Sequence, residues 1–258
     1  MAEFQFKTYQ ITAMTMPFTL KFVMPQAQPL PTSLPLVKQQ VATFLNQIDR
    51  DFSPFQVDSL VSKFQRRELL ADELTPQFQE IYGIAVKAQT VTNGAFNPFY
   101  DNKYDPTGLV KGWAIQRAFE QFIQPLITNN TVTGAALNGA GDIQMAVNAT
   151  TDFRWHVAIE NPNNTHQVVW QYEIANGAMA TSGFSQHANH IQTAHNISTD
   201  LSQVTIVAPE LIEADVLATA AIAMGAEQLQ QFRQQYFLTG IAINQQQQII
   251  QLDYLGGQ

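Results

Sequence analysis

The sequence predicts an α+β domain with a mostly antiparallel sheet and flanking helices. Six short strand-like runs follow one another between Gly134 and Val207, broken by Gly, Asn and Pro clusters and by no helix of their own. The helical segments gather before and after this block and do not alternate with its strands, as a doubly wound parallel sheet would require. No repeat of 20 to 50 residues and no linker divides the chain, so one unit over residues 1–258 is expected.

The elements follow in order. Ile11 to Met24 alternates loosely and is rich in Thr, Phe and Met, which reads as one or two strands. Pro25 to Pro35 carries four prolines and is irregular. Leu36 to Ile48 places Val37, Val41, Phe44, Leu45 and Ile48 at helical spacing. Asp51 to Phe64 is a loop with a short helix from about Asp58. A second long helix starts at Pro76, with Thr75 as N-cap, and runs to about Gln89. A third begins near Lys111, after the turn Asp105-Pro-Thr-Gly, and continues to about Phe122, where Pro125 stops it.

The strand block then comprises Gly134–Asn138, Ile143–Val147, Phe153–Ile159, Val168–Ile174, Ala178–Thr181 and Gln203–Val207. Ile212 to Met224 reads as a buried helix and Glu227 to Phe237 as another. Leu238–Ile243 and Ile249–Asp253 close the chain as a hairpin around the glutamines after Asn244.

Composition narrows the function. The 258 residues (28.8 kDa) are 45% apolar and only 13% charged, and about 30 glutamines supply much of the polarity. Thirteen Lys and Arg against 21 Asp and Glu give a net charge of −8 and a pI near 5.0. Such a balance, with the basic residues scattered, argues against nucleic acid as a partner. The absence of cysteine excludes disulfides, thiolate metal sites and a cysteine nucleophile. The N-terminus lacks a basic segment followed by an apolar one, and the apolar run Val216–Ala226 is too short to span a bilayer, so a soluble, cytoplasmic protein is expected.

Several motifs could carry chemistry. Asp215 and Thr219 lie four apart in a predicted helix and share a face, a carboxylate and a hydroxyl of the kind that Mg²⁺ accepts. The same pair also fits an acid near a helix start and a threonine bonded back to its own helix. Asp105-Pro-Thr-Gly-Leu-Val-Lys-Gly112 is a Gly-containing loop entering a helix near Lys111, suited to an anion or simply a turn. Asn138-Gly-Ala-Gly-Asp142 sits between strands and reads as a tight turn. Thr181-Ser182-Gly183 ends a strand, with hydroxyls and N–H groups open to ligand oxygens or to nothing but solvent. His187, His190 and His195 lie in a polar segment, as metal ligands or as exposed loop histidines. No Gly-x-Ser-x-Gly elbow is present, so a hydrolase triad has no anchor.

In their order and spacing these motifs resemble the ApbE family of FAD:protein FMN transferases. Met16 stands where the family has a methionine near its first strand. Ser53-Pro-Phe55 with Asp58-Ser59 resembles S-x-Y/F followed by D-S, and Gly94-Ala-Phe-Asn-Pro98 resembles G-A-F-D-P. Asp105 to Trp113 resembles D-L-G-G-I-A-K-G-Y, and Asn138 to Ile143 resembles N-L-G-G-D-I. Ala180 to Gly183 matches A-T-S-G, His190-Ile191 follows, and Asp215 to Ala220 resembles D-A-x-x-T-A. The resemblance covers nearly the whole chain.

It implies the family's α+β, T-fold-like domain and a Mg²⁺-dependent transfer of FMN from FAD to a Thr or Ser hydroxyl of an acceptor flavoprotein, releasing AMP. Asp215, Thr219 and the carbonyl of Val110 would hold the metal. Met16, Phe55, Ala95, Phe96, Asn97, Thr107, Trp113 and Ile191 fall where the family contacts FAD, and Lys111, Gly141, Asp142, Thr181, Ser182 and Gly183 would line the pocket around them. His190 would assist the acceptor or the phosphate. An alternative is a flavin-storing protein, or an FAD pyrophosphatase, with the same pocket. The chain departs from the family at Asn97, which replaces a common Asp, and after Ile191, where the H-I-x-D-P-x-T-G stretch is rebuilt. The lipobox cysteine of exported members is also missing, which fits a cytoplasmic member acting on a cytoplasmic flavoprotein.

Overall fold

The computed structural model describes residues 3–100, 103–183 and 199–253. Two ten-residue strands open the chain, β1 (Phe4–Ala13) and β2 (Met16–Pro25), turning through Met14 and Thr15 with positive φ. Helices α1 (Leu34–Phe52), α2 (Leu60–Gln65) and α3 (Pro76–Val91) follow, and the short strands β3 (Phe99–Tyr100) and β4 (Lys103–Tyr104) pair antiparallel. The Thr75 hydroxyl accepts from the Phe78 amide at 3.2 Å, so α3 starts where the Thr-Pro pair predicts.

Helix α4 (Thr107–Ala118) passes through a π-helical turn, Phe119–Ile123, into α5 (Gln124–Thr128). The sequence expectation needs correction at both ends here. The helix begins four residues before Lys111, and Pro125 does not stop it. Proline occupies the first turn of α5, where a missing N–H costs little, and the π-turn absorbs the change of register.

Strands β5 (Gly134–Gly139), β6 (Asp142–Val147), β9 (Gly177–Gly183) and β10 (Leu201–Ala208) join β1, β2, β11 (Thr239–Asn244) and β12 (Ile249–Gln251) in one antiparallel sheet ordered β1-β2-β5-β6-β9-β10-β11-β12. Strands β7 (Trp155–Asn161) and β8 (Asn164–Ile174) form a separate ribbon.

Alternation of side chains gives the sheet two buried faces. Phe22, Leu137, Ala180, Val204 and Ala242 face the helices and join the main core with Val41, Trp113 and Ala218. The opposite face carries Val23, Met145 and Val147 against Trp155 and Ile174 of the ribbon, and Met179, Ile241 and Ile243 against Ile159.

Helix α6 (Leu211–Phe232) lies over β9 and β10 and packs on α4. It is broken at Gly225, whose φ of 71° and ψ of 176° reset the chain before a second segment. Asp200 caps that segment, its Oδ1 accepting from the Ala226 amide at 2.8 Å. The second segment ends at Phe232 and not at Phe237, because residues 233–236 form turns with Tyr236 stacked on Phe232. No helix among the described residues is long and apolar enough to cross a membrane.

Candidate active site

Helices α4 and α6 meet at Gly112 and Asp215. A Cβ at residue 112 would lie 2.6 Å from Asp215 Oδ2, so only glycine lets the two helices approach this closely. The Gly112 amide donates to that oxygen at 3.1 Å. One turn further along α6, Thr219 Oγ1 stands 3.3 Å from Ser182 Oγ, near the end of β9. Gly108, one turn back on α4, leaves its Cβ position 3.6 Å from Thr219 Cγ2 and 3.4 Å from the Phe96 ring. Asp215, Thr219, Ser182, Phe96 and the first half of α4 are thus brought to one place.

The turn between β5 and β6 delivers a second acid. Ala140 and Gly141 have φ values of 52° and 99°, as a tight two-residue hairpin of this twist requires, and Asn138 Oδ1 accepts from the Gly141 amide at 3.0 Å. Asp142 follows as the first residue of β6 and is fully buried. Its Oδ1 accepts from the Thr181 amide at 3.2 Å, and its Oδ2 forms an ion pair with Lys111 Nζ at 2.8 Å. Since Phe18 pairs with Gly139, Met16 falls at this same end of the sheet.

Two acids and one lysine share a space poor in water, and their charges respond. Burial and, next, the charge of Asp142 raise the Asp215 carboxyl well above the usual carboxylate range, against the opposing pull of Lys111 and the Gly112 amide. Burial disfavours the Lys111 ammonium, but Asp142 and then Asp215 outweigh it, so its pKa is raised. Lys111 sits in the second turn of α4 and not at a free helix start. That start is covered instead by Asp105, whose Oδ1 accepts from the Thr107 amide at 3.0 Å and from the Thr107 hydroxyl.

The other predicted residues distribute as follows. Phe96 is buried, its amide held by Thr92 Oγ1 at 2.9 Å, and Ala95 beside it is half-buried. Asn97 is exposed, its Oδ1 accepting from the Phe99 amide at 2.9 Å and from Gln89 Nε2 at 3.1 Å. Phe55 is 79% exposed in the turn before α2. Trp113 is buried within the helical layer, stacked on Phe44 with Nε1 donating to Glu80 at 3.2 Å. Val110 is buried in α4, Thr181 Oγ1 lies 2.9 Å from Thr205 Oγ1, Gly141 lies in the β5–β6 turn, and Gly183 ends β9 opposite Gln203. His190 and Ile191, with His187 and His195, lie outside the described residues. Sequence reasoning missed the role of Gly112 and the pairing of Lys111 with Asp142; the Lys-Gly dipeptide was the only local signal of either.

Among the described residues no group of three or more His, Asp or Glu is placed to hold a metal. The donors that do converge are oxygens: the Asp215 carboxylate and the Thr219 and Ser182 hydroxyls, while Asp142 Oδ2 is taken by Lys111. Such a set fits a hard cation that keeps part of its shell for water and phosphate.

Comparison with solved structures places the fold. The flavin transferase ApbE from Vibrio cholerae superposes with a TM-score of 0.75 at 15% identity, covering 96% of both chains. The ApbE protein from Thermotoga maritima gives 0.74 at 17% identity over 96% of this chain and 97% of that one. Pseudomonas stutzeri flavinyl transferase ApbE, in its apo form, gives 0.74 at 16% identity over 95% and 93%. No curated protein matches the chain. The family model for the ApbE family matches residues 101–242, which include α4, the Asp142 turn, β9 and the Asp215–Thr219 face of α6. With more than half of its residues matched, this chain belongs to the ApbE family.

Proposed function

We propose that the protein is a flavin transferase that moves FMN from FAD to a Thr or Ser hydroxyl of a cytoplasmic acceptor flavoprotein, with Mg²⁺ as cofactor and AMP as the second product. The observation that carries this reading is the convergence of Asp215, Thr219 and Ser182 on the Gly108–Gly112 face of α4. Family membership and the flavin transferases of the same fold support it. The acidic balance of the chain supports a protein acceptor over a nucleic acid.

In this reading Asp215, Thr219 and the Val110 carbonyl hold the cation. When bound, Mg²⁺ would offset the negative charge of the FAD pyrophosphate. The acceptor oxygen forms a bond to the phosphorus of the FMN half, the bond from that phosphorus to the AMP oxygen breaks, and the acceptor proton leaves. His190 is assigned to that proton or to the departing phosphate. Lys111 adds positive charge beside the phosphates, Phe96 lends an aromatic wall, and Thr181, Ser182 and Gly183 offer hydroxyls and amides to ligand oxygens.

The test is incubation with FAD, Mg²⁺ and a flavoprotein carrying a Thr acceptor segment, read by mass spectrometry. A covalent FMN adduct with equivalent AMP is expected. Free FMN and AMP without adduct would point to hydrolysis, and intact bound FAD with no AMP would overturn the transfer reading.

A further inference from the structure

Three charged side chains share the buried end of the sheet, and the geometry divides them unequally. Lys111 directly precedes Gly112, whose amide is bonded to Asp215, so its ammonium has both acids within its surroundings. Only one of them takes it. Asp142 Oδ2 stands 2.8 Å from Nζ, whereas Asp215 forms no ion pair among the described residues.

The two partners of that ion pair differ in freedom. The Asp142 side chain is 1% exposed and is fixed from two sides, by the hairpin turn that precedes it and by the Thr181 amide at 3.2 Å. Lys111 is 26% exposed on a flexible four-carbon stem and can re-aim. An ammonium left without its acid in this setting would turn to the nearest remaining carboxylate, because an unpaired buried charge is costly. That carboxylate is Asp215.

We propose that Asp142 is a positioning residue, the dedicated counter-ion that holds Lys111 away from Asp215 so that the Asp215 carboxylate stays open to a divalent cation. The inference rests on reading Asp215 and Thr219 as the cation site. When both acids are ionised, as when a cation displaces the Asp215 proton, two acids and one lysine leave one negative charge over, and the Asp142–Lys111 pair leaves it on Asp215. Asp142 need not touch the cation. It acts by occupying the competing ammonium, as outer partners of metal ligands commonly set affinity without ligating.

Titration of the full-length, flavin-free protein with Mn²⁺ alone, followed by electron paramagnetic resonance at one fixed pH, tests this. Asp142→Asn keeps an oxygen for the Thr181 amide and frees Lys111; it should weaken Mn²⁺ binding by roughly 10- to 100-fold. Lys111→Met should bind Mn²⁺ at least as tightly as the wild type. The double variant, lacking both partners, should return to within about 3-fold of the wild type, since neither the competing ammonium nor its counter-ion remains.

Unchanged binding in Asp142→Asn would overturn the proposal. So would equal weakness in the single and double variants, because Asp142 would then act as a ligand or as support for the fold. Should Asp142→Asn fail to fold, Lys111→Met decides alone, and a loss of affinity there overturns the proposal. Wild-type protein that binds Mn²⁺ no better than an Asp215→Ala control would instead remove the cation site itself, and with it both readings.

Discussion

The Gly112 amide donates to Asp215 Oδ2 at 3.1 Å, and these two residues lie 103 positions apart in the chain. The contact ties the second turn of α4 to the second turn of α6 and fixes where the carboxylate stands. A methyl group at residue 112 would enter the space of the carboxylate, at 2.6 Å from Oδ2 and 2.9 Å from Asp215 Cβ.

Gly112→Ala is therefore expected to be destabilising although it lies inside a helix. Alanine gains about 1 kcal/mol in helix propensity over glycine. Overpacking a rigid helix contact costs roughly 1–3 kcal/mol and here also displaces a side chain of the site. The net effect should be a lower Tm together with loss of the proposed flavin transfer, measured by thermal melts and by mass spectrometry of the acceptor. A variant more stable than the wild type would show that the helices part without cost.

Asp215 yields a prediction with a definite sign in pH. Burial and Asp142 raise its carboxyl in the folded protein, whereas the unfolded chain ionises it in the ordinary range. Between those two values the folded state binds the extra proton, so this group's contribution to stability is full at low pH and is lost as pH rises toward the raised value. Asp215→Asn removes the loss. In the metal-free protein it should be close to wild type in stability near pH 4 and more stable by roughly 1–3 kcal/mol at pH 8. Added Mg²⁺ should raise the wild-type Tm at pH 8 and leave Asp215→Asn unmoved.

Much of this architecture is legible in the sequence because local chemistry fixes it. Thr75-Pro76 starts α3, the alternation in Ile11–Met24 marks β2 and the last residues of β1, whose earlier part, Phe4–Gln10, it does not reach, and Asn138-Gly-Ala-Gly makes the hairpin that presents Asp142. What escapes are effects of distant contacts. The β7–β8 ribbon reads locally like the strands around it, yet it leaves the main sheet because Trp155, Ile159 and Ile174 cover that sheet's outer face. Pro125 reads as a stop, yet a π-turn carries the helix past it. In the site, Asp215 and Thr219 are visible as a helical pair, whereas the partnership of Lys111 with Asp142 depends on α4 crossing the end of β6.

Asn97 stands where the motif resemblance expects an aspartate, and its surroundings say which property such a change affects. Its Oδ1 accepts from two donors, the Phe99 amide and Gln89 Nε2. A carboxylate would accept both. Asn97→Asp should therefore leave stability within about 0.5 kcal/mol of the wild type. If residue 97 contacts FAD as proposed, the added charge would strengthen that contact, so a lower KM for FAD at similar kcat is expected. A shift in Tm without change in KM would mean that residue 97 serves the turn alone.

Thr219 separates the role of its hydroxyl from that of its shape. Its methyl group fills the space left by Gly108, with Cγ2 3.6 Å from the position a Cβ would take, while its hydroxyl meets Ser182 at 3.3 Å. Valine keeps the methyl group and removes the oxygen. Thr219→Val should hold the packing of α4 on α6, costing no more than about 1 kcal/mol for one lost hydroxyl pair. If the hydroxyl is a cation ligand, the same variant should need at least about 10-fold more Mg²⁺ for half-maximal turnover, a size usual for disturbing a metal site. Thr219→Ser, which keeps the oxygen and opens a small gap beside Gly108, should behave in the opposite way, with near-normal Mg²⁺ demand and a lower Tm. Equal Mg²⁺ demand in both variants would assign Thr219 to packing.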